Sequence, residues 1–184
     1  MSKRVLVIGA GGIGSNLIPI LSRIGLYNIT VYDPDIVEEK NITYQNFRIG
    51  EVGMKKANVM AKYNKVKGEP YAILTKEQIK GYDLVVCCVD NLAARRLLYD
   101  YDKPWLDLRA QGRGSILISY KTPVEKYDEL LAGPDGNFSC QGNEWDGKAK
   151  GINCMHYVVA GLGAQWIQRW FAGDYVDNEM VVWF

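Results

Sequence analysis

The chain has 184 residues, 48% hydrophobic and 23% charged, an ordinary composition for a globular protein long enough to bury one sizeable core. Twenty-two Lys and Arg stand against 21 Asp and Glu, a net charge of +1, so charge supplies no pull toward nucleic acid or an acidic membrane surface. No apolar run approaches the ~18 residues that cross a bilayer, and the opening Met-Ser-Lys-Arg runs into a short apolar stretch that ends in glycines rather than a signal-cleavage site. A single cytoplasmic domain over residues 1–184 is the expectation.

Residues 4–8 form a short apolar run followed by Gly9-Ala-Gly11-Gly12-Ile-Gly14, and apolar residues at 17, 18, 20, 21 and 24 then follow a helical spacing. This predicts strand, tight turn and helix. A β-rich segment at 29–32 ends at Asp33-Pro34; residues 55–67 read as a helix and 71–74 as a short strand. The fully apolar run 84–89 is the mark of a strand buried on both faces of a parallel sheet. After it come a helix at 91–101, strands at 104–108 and 115–120 joined through glycine-rich 111–114, and a polar stretch over 122–150 with no period, expected as a long surface loop. A helix over 153–172 and an apolar strand at 180–184 close the chain. Strands alternating with helices imply right-handed crossovers, hence an α/β fold of Rossmann type: a doubly wound, mostly parallel sheet with helices on both faces.

The pattern Gly9-x-Gly11-x-x-Gly14 follows a predicted strand and opens a predicted helix, the context that gives this glycine pattern meaning. Glycines let backbone N–H groups approach a phosphate, and the helix N-terminus adds partial positive charge. Asp33, at the end of the second strand, is placed to accept hydrogen bonds from ribose hydroxyls. The same fingerprint serves NAD, FAD and ATP, so the glycine loop does not choose among them.

Three further motifs follow in order: Asn41-Ile-Thr-Tyr44-Gln45, then Glu51-Val52-Gly53-Met-Lys-Lys56-Ala57, then Val89-Asp90-Asn91. In this order the chain resembles the ThiF/MoeB/HesA family of ubiquitin-like-protein activators. The resemblance covers residues 4–120 well and the 153–172 helix weakly. It implies an ATP- and Mg²⁺-dependent adenylyltransferase that activates the C-terminal carboxylate of a small ubiquitin-like or sulfur-carrier protein, or of a peptide, and it implies a homodimer. It assigns Gly9, Gly11, Gly12, Gly14 and Asp33 to nucleotide binding, Asn41 and Lys56 to the triphosphate, Asp90 to Mg²⁺, and Asn91 to the same pocket. Lys56 and a metal held by Asp90 would offset the repulsion between an attacking carboxylate and the α-phosphate.

The sequence departs from the family at Tyr44, which replaces an arginine, and Arg48, four residues on, is the candidate to supply that charge. The alternatives are an NAD-dependent oxidoreductase, against which stand the motif order from Asp33 to Lys56 and the lack of a clear catalytic pair, and a nucleotide-binding scaffold that has lost catalysis. Four cysteines lie at 87, 88, 140 and 154 with no Cys-x-x-Cys pair, so neither a disulfide framework nor a structural zinc site is expected. Some relatives pass the acyl group to a cysteine near the last long helix, which makes Cys154 and Cys140 thioester candidates. A buried, inert role for Cys154 is the competing reading, Cys87 and Cys88 are expected in the core, and His156 is expected to be a satisfied structural residue. Trp166 and Trp170, four apart, share a helix face suited to packing on the sheet or on a second subunit.

Overall fold

In a computed structural model, residues 2–126, 141 and 151–184 are described. Seven strands form one sheet in the order β3-β2-β1-β4-β5-β6-β7: β1 (Lys3–Ile8), β2 (Tyr27–Tyr32), β3 (Val66–Glu69), β4 (Leu84–Cys87), β5 (Trp105–Gln111), β6 (Gly114–Ser119) and β7 (Glu179–Trp183). The first five run parallel, while β5–β6 and β6–β7 pair antiparallel. Helices α1 (Gly14–Ile24), α2 (Lys56–Tyr63) and α5 (Met155–Ala172) send buried residues into the core on one face; α3 (Lys76–Ile79) and α4 (Leu92–Tyr99) cover the other. The α/β doubly wound architecture expected from the strand–helix alternation is the one observed.

The apolar strand runs are central because both faces of a parallel sheet are covered. Val5, Leu6 and Val7 of β1 and Leu84, Val85 and Val86 of β4 are fully buried. One expected strand is misplaced. Residues 71–74 are not in the sheet, and Tyr71 and Leu74 are exposed. Instead α2 stops at Tyr63, where Asn64 caps it through its side-chain amide to the Met60 carbonyl, 2.9 Å, and the segment predicted as the helix's end pairs with β2 as β3, Ile29 opposite Val66. β3 is an edge strand with no fully buried residue, so backbone pairing rather than an apolar pattern fixes it. Most of the 122–150 stretch, expected as a loop, lies outside the described residues.

Trp166 is buried on α5 and donates Nε1–H to the Asp177 carbonyl at 2.8 Å, with the Trp170 ring stacked beside it. The tryptophan pair therefore belongs to the core side of α5. Trp183 and Phe184 at the end of the chain are exposed.

α1 carries an internal proline, Pro19, whose missing N–H leaves the Ser15 carbonyl without its helical donor. The Asn46 side-chain amide donates to that carbonyl at 3.3 Å, and the Asn46 backbone N–H donates to Ser15 Oγ at 3.0 Å. A helix defect thereby anchors the 39–51 segment, two short 3₁₀ turns, against the start of α1.

Candidate functional site

The order of strands reverses between β1 and its neighbours β2 and β4, and ligands of open α/β sheets bind in the crevice beyond the carboxyl ends of such strands. The glycine turn leaves β1 at this point. Gly9 N–H donates to the Tyr32 carbonyl at 2.8 Å, and Cys88 N–H to the Ile8 carbonyl at 2.8 Å, so the ends of β1, β2 and β4 are laced together. A Cβ on Gly14 would lie 1.9 Å from the Gly9 carbonyl oxygen, a backbone collision that only glycine avoids. Gly11 and Gly12 stand between, their carbonyls accepting from Ser15 N–H (2.9 Å) and the Asn16 side-chain amide (2.7 Å), which starts α1.

Asp33 is buried at the end of β2. Its Oδ2 accepts the Ala10 N–H at 2.6 Å and its Oδ1 accepts the Asp35 N–H at 2.8 Å, so it clamps the glycine turn to the second strand. Burial pushes its carboxyl above the usual carboxylate range, against the pull of the two N–H groups and of Lys56. Each oxygen keeps a further lone pair for a ligand hydroxyl.

Lys55 and Lys56, indistinguishable in composition, diverge in space. Lys55 is exposed and donates to the Pro34 carbonyl at 2.5 Å. Lys56, first residue of α2, is buried, with its Nζ 3.4 Å from Asp35 Oδ2 and its charge close enough to favour ionised Asp33 and Asp90. An isolated bridge between Ile36 and Lys55 and the Lys56 N–H to Asp35 carbonyl bond, 3.0 Å, seat the helix start beside the strand end.

Asp90 follows β4 across the crevice and is accessible at its surface. Surrounding protein raises its carboxyl above the usual range, Arg95 and Lys56 opposing and Asp35 adding to the rise. The structure therefore brings the glycine turn, Asp33, Lys56 and Asp90 to one crevice, together with Asp35, which the sequence reading passed over. Its signal was available: a second acidic residue two positions after Asp33, at the same strand end.

Other candidates are placed differently. Asn41 is buried, and its Oδ1 accepts the Glu38 N–H at 2.8 Å while its amide nitrogen has no hydrogen-bond partner among the described residues. Asn91 caps α4, its Oδ1 accepting from Ala93 N–H at 2.7 Å and Ala94 N–H at 3.4 Å. The Arg48 guanidinium lies over the Tyr63 ring, 5.0 Å from its centroid, seven residues and about 10 Å along α2 from Lys56. Tyr44 is buried and meets the His156 ring edge-on, centroids 6.0 Å apart.

His156 itself is fully buried, and burial lowers its pKa, with the Asn153 and Tyr44 carbonyls opposing. Its Nδ1 lies 3.2 Å from the Gln141 amide, whereas Nε2 has no partner of hydrogen-bonding geometry among the described residues; it is a core histidine only half satisfied. Cys154, at the N-cap of α5, is exposed while His156 points inward, so the two are not paired. Cys140 lies outside the described residues. Cys87 and Cys88 are buried, their thiols pushed up by burial, Cys87 to about 12.

The ThiF family model matches residues 1–180. The chain belongs to the ThiF family. Among curated relatives, the adenylyltransferase and sulfurtransferase UBA4 of Yarrowia lipolytica is 36% identical over 110 residues, 54% of this chain and 28% of its own length. The SAMP-activating enzyme E1 of Haloferax volcanii is 36% identical over 111 residues, 54% of this chain and 41% of its own. This ThiF-family chain thus spans less than half the length of either. In fold it resembles the crystal structures of E. coli MccB with ATP (TM-score 0.71, 19% identity, covering 99% of this chain and 60% of that one) and of PaaA (TM-score 0.71, 18% identity, covering 99% and 61%).

Proposed function

We propose that the chain binds ATP with Mg²⁺ in the β1–β4 crevice and adenylates the C-terminal carboxylate of a small ubiquitin-like or sulfur-carrier protein, or of a peptide. The convergence of the glycine turn, Asp33, Lys56 and Asp90 at one strand-edge crevice carries this reading, and the names of the UBA4 and SAMP-activating relatives support it. In the reaction a carboxylate oxygen of the partner attacks the α-phosphorus, a C(O)O–P bond forms, the α–β bridging P–O bond breaks, and pyrophosphate leaves.

The residues present fit the metal. Among the described residues no group of three or more His, Cys, Asp or Glu is clustered for an ion, but Mg²⁺ beside a nucleotide takes one or two carboxylates and completes its shell with phosphate oxygens and water. Accessible Asp90 meets that need. Bound there, the ion would neutralise charge on the departing pyrophosphate. The chain's own part is to present N–H groups of the turn to phosphate oxygens, to accept ribose hydroxyls at Asp33, and to aim the Lys56 ammonium, held by Asp35, at the charge that grows on the phosphates.

Isotope exchange tests the proposal: with ATP, Mg²⁺, labelled pyrophosphate and candidate carrier proteins, label enters ATP only if an acyl-adenylate forms, and Lys56→Met should slow the exchange about 10²-fold or more. Burial of Tyr44 against His156, where the family has an arginine, favours a second reading, a nucleotide-binding scaffold without catalysis. Nucleotide binding with no exchange for any carrier would establish that one instead. Transfer to Cys154 and assembly as a homodimer belong to the first reading; a thioester absent from Cys154→Ser and light scattering are their respective checks.

A further inference from the structure

Asp107 lies in β5 opposite Cys87 of β4 and has no solvent exposure. Three side chains converge on it. Arg109 is nearest, Nη2 at 2.9 Å and Nε at 3.0 Å from Oδ2; Tyr99 donates its hydroxyl to the same oxygen at 3.1 Å and is itself hydrogen-bonded by Arg109. Arg95 is the outlier, its Nε 3.4 Å from either carboxylate oxygen. A single aspartate already neutralised by one arginine has no electrostatic need of a second, and burying another guanidinium is costly unless its donors are used.

The short bond of Arg95 goes elsewhere. Its Nη2 donates to the Val89 carbonyl at 2.7 Å, and its backbone N–H reaches the Asn91 carbonyl at 3.4 Å. Those two carbonyls flank Asp90, so one residue holds the turn on both sides of the carboxylate. The fork of guanidinium N–H groups explains the residue type: one edge faces Asp107 while another donor takes the carbonyl, which a single ammonium on a flexible stem does not reproduce.

We infer that Arg95 is a positioning residue for Asp90: through its bond to the Val89 carbonyl, with Asp107 as its anchor, it fixes the 89–91 turn so that the Asp90 carboxylate faces the crevice ready for Mg²⁺-nucleotide. The inference rests on the reading of Asp90 as the group that holds the ion. It predicts that Arg95 contributes to metal-dependent binding, whereas Arg109, whose guanidinium bonds Asp107 and Tyr99, does not.

The test is calorimetric titration of the full chain with ATP in Mg²⁺ and in EDTA, and the quantity read is the Mg²⁺-dependent gain in affinity. Wild type should show a gain that Asp90→Asn abolishes. Arg95→Met should lose about ten- to a hundredfold of it, the usual scale for residues that orient a metal ligand, with affinity in EDTA unchanged. Arg109→Met should keep it. Arg95→Lys guards against misfolding, since it retains the charge beside Asp107, and it should lose the gain as Arg95→Met does. A full gain in Arg95→Met or Arg95→Lys, or an equal loss in Arg109→Met, overturns the positioning role while leaving Asp90 in place. If wild type has no gain, or Asp90→Asn keeps it, the reading of Asp90 fails and the role of Arg95 falls with it.

Discussion

Two buried aspartates, one on each side of the crevice, are held by opposite means. Asp33, at the end of β2, is satisfied by backbone N–H groups from the glycine turn and from Asp35. Asp107, within β5, is satisfied by the side chains of Arg95, Arg109 and Tyr99. The first arrangement leaves the carboxyl without a full countercharge, so burial raises its pKa, and each oxygen keeps acceptor capacity that the proposed site would use. The second ranges side-chain donors around the carboxylate, most of them on Oδ2, and Arg95 continues from there to the Val89 carbonyl. The acid at the strand end is thus held by backbone dipoles, and the acid inside the sheet by charged side chains.

The contrast breaks first at Asp107. Asp107→Ala strands the buried Arg95 guanidinium and the partly buried one of Arg109, and loss of one partner from a buried ion pair costs about 3–5 kcal/mol; urea unfolding should show a drop of that size, and a cost under about 1 kcal/mol would mean that the cluster is hydrated rather than closed. Next is the turn that holds Asp33. Gly14→Ala forces a methyl group onto the Gly9 carbonyl, an overpacking expected to cost about 1–3 kcal/mol. If ATP binds as proposed it raises the melting temperature of wild type, and Gly14→Ala should abolish that rise; a retained ATP shift would separate the turn from the nucleotide. At Asn91→Ala the lost helix cap is worth about 1 kcal/mol, read again by urea midpoint, and an unchanged midpoint would free Asn91 of its structural role.

The smallest effect is a pH slope at Asp33. Because its native carboxyl is raised, the folded state keeps the proton longer than the unfolded chain does; the stability this gives is present below the unfolded value and is lost as pH rises through the raised native one. Asp33→Asn has no such slope, so the advantage of wild type over the variant should shrink across that window, whereas an advantage that grows with pH would reverse the sign of the shift.

Much of this protein was legible along the chain because local pattern and burial coincide there. The apolar runs at β1 and β4, the glycine turn into α1 and the ordered motifs through Asp90 each need only neighbours in sequence, and they give the sheet, its carboxyl edge and the residues around the crevice. The choice between Lys55 and Lys56 needed the direction in which α2 leaves its loop. β3 lies five residues before the strand expected at 71–74 because an edge strand is set by pairing with β2 and carries little apolar signal of its own. Arg48 looked four residues from the right place, but its guanidinium rests on Tyr63, a contact set by how the 3₁₀ turns lie against α2. Composition and spacing, then, determined a doubly wound fold with a glycine turn and acidic strand ends at its carboxyl edge, and the ordered motifs carried the resemblance to the ThiF family. Tertiary structure alone decided that Arg95, Tyr99, Asp107 and Arg109, scattered over fifteen residues on a helix and a strand, form one buried cluster, because nothing short of packing α4 on β5 brings those charges within reach of one another.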